Sequence, residues 1–234
     1  NAGYDLRHLV IGAEGTLGIV VDATIRLCRP PRDPAVLVLG APSMPAVMEI
    51  LHAYQAELDL SAFEFFSRAA LDKVVTHQGL PLPFETPANF YALLELEQDS
   101  DAAMATALEL FERCVEAGSA LDGTVSQSLA QARSLWRLRE DISETIARWT
   151  PYKNDIPTVV SGVSACLTEV EATVSREYPD LEVLWYGHIG DGNLHLNILK
   201  PDALPAAEFQ RRCAGVSEQV FAIVRAHGGS ISAE

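Results

Sequence analysis

The sequence predicts an α+β fold built from two ferredoxin-like halves, each with the order β-α-β-β-α-β and with helices covering antiparallel or mixed sheets. Two observations lead to this prediction. Short apolar runs with the length of strands alternate with longer amphipathic segments of helical period. The same order of elements then recurs in the second part of the chain. The duplication rests on element order alone, because the halves share no residue-level repeat.

The first half combines apolar strands with helices that begin at residues able to cap them. Ser43 and Ser100 stand where two of these helices start, and Pro45 fits a first helical turn. The expected elements are a strand at Ala35 to Leu39, a helix at 45–58, a strand at Ala62 to Phe66, a short helix at 67–77, a strand at Phe90 to Glu97, a helix at 100–117 and a weak strand near Asp122 to Ser126.

A long amphipathic helix, expected from Ser128 to Trp149, joins the first half to the second. The second half repeats the order of the first. Its expected elements are a strand at Asp155 to Val160, a helix at 164–177, a strand at Glu182 to Tyr186, a strand at Leu194 to Leu199, a helix at 205–227 and a final strand beginning at Ser230.

The first 29 residues differ from the rest of the chain. A glycine-punctuated stretch at 11–21 is followed by an alternating pattern, Ala23 to Leu27, that predicts a strand. Prolines 30, 31 and 34 then have the composition of a linker, so we predict one domain at 1–29 and another at 30–234. The chain starts without methionine and stops at Glu234 as a strand is expected to emerge, and we read it as an excerpt of a longer protein.

Composition narrows the classes of function. The chain has 234 residues, of which 48% are hydrophobic, enough for an ordinary globular core. Its net charge of -15 repels phosphate backbones and anionic lipids, which argues against nucleic acid as a partner. No run is apolar enough to span a bilayer, and no targeting segment is present. The four separated cysteines fit reduced thiols, although pairing at a distance stays open, and we expect a cytoplasmic protein.

The most informative segment is 187–197, Gly-His-Ile-Gly-Asp-Gly-Asn-Leu-His-Leu-Asn. Its turn formers predict a hairpin that brings His188 and His195 together. Because side chains alternate along a strand, His195 and Asn197 should share one face while the leucines share the other. Neutral imidazoles bind zinc and related divalent ions, and such a site needs a third ligand and an open position for catalysis. Two hydrogen-bonded histidines beside a turn are the weaker alternative.

A second group of residues could bind a carboxylate. Arg139 and Ser143 are four residues apart in the predicted bridging helix, so they share one face, and Lys153 follows it. A guanidinium can donate two parallel hydrogen bonds to a carboxylate. By spacing alone, however, a solvated helix with internal ion pairs explains these charges slightly better.

Five motifs together resemble the C-terminal part of the FAD-linked oxidases, the flavin-dependent 2-hydroxy-acid dehydrogenases that include D-lactate, glycolate and D-2-hydroxyglutarate enzymes. The resemblance covers nearly the whole chain, and the histidine motif and the closing Ser-Ala-Glu are its most specific parts. The motifs lie at residues 11–20, 135–140, 153–156, 187–197 and 228–234.

The resemblance implies a set of site residues. The metal ligands would be His188, His195 and Glu234, holding a divalent ion, which we expect to be zinc. The family's general base is the histidine after that glutamate, so the chain carries no catalytic base, and His227 at a helix end is not a substitute. Residues 1–29 would be the tail of the FAD-binding domain, and the cofactor contacts would come from four of them: Gly12, Gly15, Gly18 and Ile19. We expect this fragment alone to bind FAD poorly.

The resemblance also implies a substrate. Arg139, Ser143, Lys153 and Asn197 would bind it, and the lysine favours a dicarboxylate such as D-2-hydroxyglutarate, although Ser143 stands where threonine is commoner. The expected reaction is oxidation of a D-2-hydroxy acid to the 2-oxo acid by hydride transfer to the flavin. D-lactate or glycolate dehydrogenase, a non-catalytic ligand-binding module and a flavin-free metallohydrolase are the alternatives. The expected partners are the substrate and an electron acceptor, and a homodimer is left open.

Overall fold

In the computed structural model, residues 3–28, 34–97 and 101–231 are described. The chain forms two compact units, Asn1–Pro31 and Arg32–Glu234. The assignment of residues 1–29 to a flavin-binding domain and of 30–234 to a substrate domain stays a prediction. No helix in the described ranges is long and apolar enough to cross a membrane.

In its described residues, 3–28, the first unit contains one short helix, α1 (Arg7–Val10), followed by turns. Gly12 and Gly15 have φ angles of 78° and 77°, a backbone region that favours glycine. The strand predicted at Ala23 to Leu27 is wrong: residues 18–28 form neither helix nor strand. A strand needs a neighbour to accept its hydrogen bonds, and the described part of this unit offers none.

The second unit is built on one sheet of seven strands. The strands are β1 (Pro34–Ala41), β2 (Leu60–Ser67), β3 (Phe90–Glu97), β4 (Asp122–Val125), β5 (Tyr152–Pro157), β6 (Glu182–His188) and β7 (Asn193–Leu199). The helices are α2 (Met44–Gln55), α3 (Arg68–Gln78), α4 (Asp101–Glu116), α5 (Leu129–Glu140), α6 (Ile142–Ile146), α7 (Val163–Glu177) and α8 (Ala206–Ala226).

The strand order β4-β1-β3-β2-β6-β7-β5 confirms the α+β fold with two ferredoxin-like halves. Numbered within the first half, the order is 4-1-3-2, as a β-α-β-β-α-β unit requires when all its neighbours are antiparallel. Numbered within the second half, β5, β6 and β7 are strands 1, 2 and 3. Their order β6-β7-β5 therefore reads 2-3-1, which is the first half's 1-3-2 in reverse. The halves share a single sheet, because β2 pairs with β6 through Phe65↔Gly187 and Phe66↔Tyr186. This pairing of β2 with β6, the junction between the two halves, was not predicted from the sequence.

Both faces of the sheet are covered. Helices α2, α4, α7 and α8 contribute to the apolar cluster on one face, which includes Phe65, Trp185 and Leu196. Helices α3, α5 and α6 contribute to the cluster on the other face, which includes Phe66 and Tyr186. Since side chains alternate along a strand, even-numbered residues of β2 and β6 and odd-numbered residues of β7 lie on this second face.

The bridging helix predicted from Ser128 to Trp149 is wrong as a single element. Ser128 caps α5, but the helix stops at Glu140, and α6 and a 3₁₀ turn at Ala147–Trp149 follow. Leu138, Ile142 and Ile146 follow one another at intervals of four residues and all pack into the same apolar cluster, so the two helices continue one buried face across the break.

The strand predicted at Asp155 to Val160 begins and ends earlier, at Tyr152–Pro157. Thr150, with φ of 49°, ends the preceding turn, and Pro157 has no N–H with which to continue a ladder. The strand predicted from Ser230 is not formed in residues 230–231, although the Ser230 N–H donates to the Pro157 carbonyl at 3.0 Å. All four cysteines are free; Cys114, Cys166 and Cys213 are buried, whereas Cys28 is exposed.

Candidate active site

A tight hairpin joins β6 to β7 and carries both histidines of the sequence motif. Gly192 has φ of 83°, and a Cβ there would overlap the carbonyl oxygen of Thr158. Only glycine fits both the backbone conformation and this close approach. Asp191 stabilises the turn, because its Oδ1 accepts from the Asn193 N–H at 3.1 Å.

The hairpin brings His188 and His195 together, as predicted. Their ring centroids are 5.4 Å apart and their planes are nearly perpendicular, at 83°. In the β6–β7 register, His195 is opposite Tyr186, two residues before His188 on the same face. The His195 side chain is only 11% exposed, whereas that of His188 is 43% exposed, so the pair is open to solvent on the His188 side.

Each imidazole is held by a carboxylate through Nδ1. Nδ1 of His188 lies 2.8 Å from Glu64 Oε1, and Nδ1 of His195 lies 2.5 Å from Asp155 Oδ1. An ionised carboxylate only accepts hydrogen bonds, so each ring donates through Nδ1–H. The neutral ring then has its lone pair on Nε2, the tautomer that suits binding of a metal through that atom.

Arg139 is the buried cation of the site. Its Nη2 lies 2.9 Å from Glu64 Oε2, and the two side chains are 9% and 8% exposed. The guanidinium also stacks on Tyr186, 4.7 Å from the ring centroid, and the Tyr186 ring lies 5.0 Å from that of His195. Nε of Arg139 is buried and has no hydrogen-bond partner among the described residues. The alternative of a solvated helical ion pair therefore does not describe Arg139.

Lys153 and Ser143 meet directly. The Lys153 Nζ donates to Ser143 Oγ at 2.9 Å, although the break after α5 separates Ser143 from the helix that holds Arg139. Asn197 lies across from Lys153 in the β5–β7 register, and its side chain is buried. Its Nδ2 donates to the main-chain oxygen of His195, and its Oδ1 finds no hydrogen-bond partner in the described residues.

Strand register explains why residues so distant in sequence meet. One row across the sheet runs Phe66, Tyr186, His195 and Asp155. Side chains in neighbouring rows on the same face are within reach of one another. This face of the sheet carries two imidazoles, each paired with a carboxylate, and the cations Arg139 and Lys153. Such a set of groups can bind an anion together with a divalent cation.

Sequence reasoning missed three of these residues: Glu64, Asp155 and Tyr186. One signal for Glu64 was present, because an acidic residue interrupts the apolar run of β2 between Phe63 and Phe65. The partners of Glu64 could not be predicted, because no sequence pattern indicates that β2 pairs with β6.

Two further groups of predicted site residues stay predictions. Glu234, the expected third metal ligand, lies outside the described residues. Within those residues, no group of three or more His, Cys, Asp or Glu side chains could hold a metal ion. The expected cofactor contacts, Gly12, Gly15, Gly18 and Ile19, belong to the first unit, where Ile19 is exposed and a Cβ at any of the glycines would have open space around it.

Comparison with known proteins gives a consistent result. The family model for FAD linked oxidases, C-terminal domain, matches residues 30–234. D-2-hydroxyglutarate dehydrogenase of Stutzerimonas stutzeri (strain A1501) is 57% identical over 232 residues, which cover 99% of this chain and 50% of that protein. The protein of the same name from Xanthomonas citri pv. viticola is 48% identical, covering 100% of the chain and 49% of that protein. The chain therefore spans about half the length of these relatives.

A more distant relative and a solved structure extend the comparison. The mitochondrial D-2-hydroxyglutarate dehydrogenase of Arabidopsis thaliana is 36% identical over 242 residues, covering all of this chain and 41% of that protein. A structure of alkyldihydroxyacetonephosphate synthase superposes with a TM-score of 0.62 at 13% identity, covering 99% of this chain and 46% of that one. At that identity the likeness concerns the fold alone.

Proposed function

The chain belongs to the family of FAD linked oxidases, C-terminal domain, and we propose that it is the substrate- and metal-binding part of a flavin-dependent dehydrogenase of D-2-hydroxy acids, acting on D-2-hydroxyglutarate. The named relatives support this choice of substrate over D-lactate or glycolate. Family membership also favours an enzyme over a non-catalytic module or a flavin-free hydrolase.

The observation that carries the proposal is the pair of carboxylate-held imidazoles. Glu64 and Asp155 fix both rings with Nδ1 as donor, so that Nε2 of His188 and of His195 can bind a divalent ion. Such carboxylate–histidine pairs are the usual surroundings of histidine metal ligands. The residues present therefore fit a metal, which we propose to be zinc, with Glu234 as its third ligand.

The neighbouring cations would bind the substrate's carboxylates. Lys153 holds Ser143 at 2.9 Å, and this pair could exchange its internal hydrogen bond for bonds to a carboxylate. Nε–H of Arg139, which has no partner among the described residues, could also donate to a carboxylate. Oδ1 of Asn197 can only accept, so it would bind the substrate's hydroxyl rather than a carboxylate. Glu64 and Asp155 together offset the charges of Arg139 and Lys153, so a dication would leave the site positive toward an anionic substrate.

The chemistry of the bound groups completes the proposal. A bound divalent ion, held by His188 and His195, would supply Lewis acidity toward the substrate's oxygens, and bound FAD would supply a hydride acceptor. The residues of this chain orient the substrate: the cations fix its carboxylates, and the buried faces of Tyr186 and His195 exclude water. The proton acceptor is proposed to be a histidine after Glu234.

The glycines of the first unit would contribute to the FAD site of the whole protein. The open space around Gly12, Gly15 and Gly18 is compatible with close approach of a cofactor to the backbone. The electron acceptor, a homodimeric state and a cytoplasmic location remain predictions. The names of the relatives from Arabidopsis thaliana and Rattus norvegicus place those proteins in mitochondria.

Two measurements test the proposal. The full-length protein should oxidise D-2-hydroxyglutarate with an artificial electron acceptor faster than D-lactate or glycolate, and a reversed order would overturn the substrate assignment. Purified protein should contain a stoichiometric divalent metal, which His195→Ala should lose. His227→Ala is the matched control, because His227 pairs with Glu169 on the surface instead. Unchanged metal content in His195→Ala would rule out that ligand.

A further inference from the structure

Glu64 makes polar contacts with both parts of the proposed site. Its Oε1 lies 2.8 Å from Nδ1 of His188, and its Oε2 lies 2.9 Å from Nη2 of Arg139. It reaches both from β2, in the first ferredoxin-like half, whereas His188 belongs to the second half. The carboxylate therefore occupies the junction where the two halves share the sheet.

Burial of the charged Glu64 carboxylate lowers the stability of the fold unless it contacts both His188 and Arg139. The residue is 6% exposed and stands between Phe63 and Phe65, whose side chains point into the opposite apolar cluster. An ionised carboxylate without partners is strongly disfavoured in such a position. Here one oxygen has the cation and the other the imidazole, so both contacts are part of what makes a charge at this position tolerable.

We infer that Glu64 is a positioning residue that links the proposed metal ligand His188 to the proposed carboxylate receptor Arg139. The inference rests on the proposed function. The same carboxylate holds the His188 ring by a hydrogen bond and Arg139 by an ion pair, although Oε2 of Glu64 makes no hydrogen bond of standard geometry among the described residues. The guanidinium is confined further by Tyr186, on which it stacks. Glu64 and Tyr186 together would then set the distance between a bound metal and a bound carboxylate.

A purely structural ion pair makes a different prediction. If Glu64 served only to neutralise buried Arg139, its removal would lower stability but leave the affinity of the folded protein for metal unchanged. If it positions His188, removing the carboxylate weakens metal binding in protein that is still folded. Loss of a carboxylate partner of a histidine ligand typically lowers metal affinity by about 10- to 100-fold.

The experiment uses the full-length protein, freed of metal and titrated with Zn²⁺ against a chromophoric chelator. Glu64→Gln keeps the size of the side chain and removes its charge. Glu171→Gln is the matched control, a half-buried glutamate on α7 on the opposite side of the sheet. We expect Zn²⁺ affinity to fall about 10- to 100-fold in Glu64→Gln and to stay within about twofold of the wild type in Glu171→Gln.

A second pair of variants keeps the test valid if Glu64→Gln fails to fold. Removing one member of a buried ion pair is far more disruptive than removing both. Arg139→Gln and the double variant Glu64→Gln/Arg139→Gln are therefore compared with each other, and the double variant should bind Zn²⁺ about 10- to 100-fold more weakly. In the same proteins, KM for D-2-hydroxyglutarate should rise in Glu64→Gln, but the Glu64 substitution should change it little once Arg139 is gone.

The outcomes separate the two proposals. Equal Zn²⁺ affinity with and without the Glu64 carboxylate, in a wild type that does hold metal, overturns the role of Glu64 alone. A wild-type protein that binds no Zn²⁺ overturns the metal site itself, and the role of Glu64 with it.

Discussion

Lys153 offers the sharpest test of substrate choice. Its Nζ donates to Ser143 Oγ at 2.9 Å from an exposed position at the edge strand β5. A second carboxylate on the substrate can replace the serine hydroxyl as acceptor. A hydrogen bond to a charged group contributes about 1.5–3 kcal/mol, which is about 10- to 140-fold in affinity. Because Lys153 is exposed, solvent screening places the expected effect at the lower end of this range.

The assay is steady-state kinetics of the full-length protein with an artificial electron acceptor. Lys153→Met should lower kcat/KM for D-2-hydroxyglutarate about tenfold and change that for D-lactate by less than about twofold, because D-lactate lacks the second carboxylate. Stability should hardly change, since the lysine is exposed. An equal fall for both substrates would refute the assignment of Lys153 to the distal carboxylate.

Three further predictions concern stability and the hairpin. Burial raises the pKa of Glu171, opposed by the Trp185 indole, so stability should fall as pH rises from the ordinary glutamate pKa through the raised value. Glu171→Gln should flatten this dependence in thermal melts, and an unchanged slope would contradict it. Gly192→Ala should cost at least about 1–2 kcal/mol from its φ of 83° alone, measured by denaturant unfolding. Asp155→Asn should weaken Zn²⁺ binding about 10- to 100-fold in chelator competition, and unchanged affinity would exclude an orienting role.

The elements that the sequence predicted well are those whose signals are local. The hairpin at 187–197 follows from turn-forming residues between apolar strands, and the meeting of His188 and His195 follows from the hairpin. The helices at 163–177 and 206–226 lie within two residues of their predicted bounds. In each case the pattern of apolar residues and the capping or turn residue agree, so no distant contact is needed to specify the element.

Two failures concern features that the local pattern does not mark. The break after Glu140 has neither proline nor glycine, and the apolar residues on either side of it, Leu138, Ile142 and Ile146, keep the four-residue spacing of one helical face. The pattern at Ala23 to Leu27 has the alternation of a strand but no partner strand in its unit. The local pattern of apolar residues indicates which side chains are buried, but it does not indicate which other elements they pack against.

The junction between the halves decides what the candidate site is made of. Each ferredoxin-like half could form its own sheet, and the hairpin alone would still bring His188 and His195 together. Pairing of β2 with β6 adds Glu64 from the other half, and Glu64 in turn holds Arg139 over the same face. The Nδ1–H tautomer of His188 and the position of Arg139 thus depend on a strand pairing between residues 120 and 122 positions apart in the sequence. A substitution that separates β2 from β6 should therefore impair metal binding and carboxylate binding together, even if it touches neither histidine nor arginine.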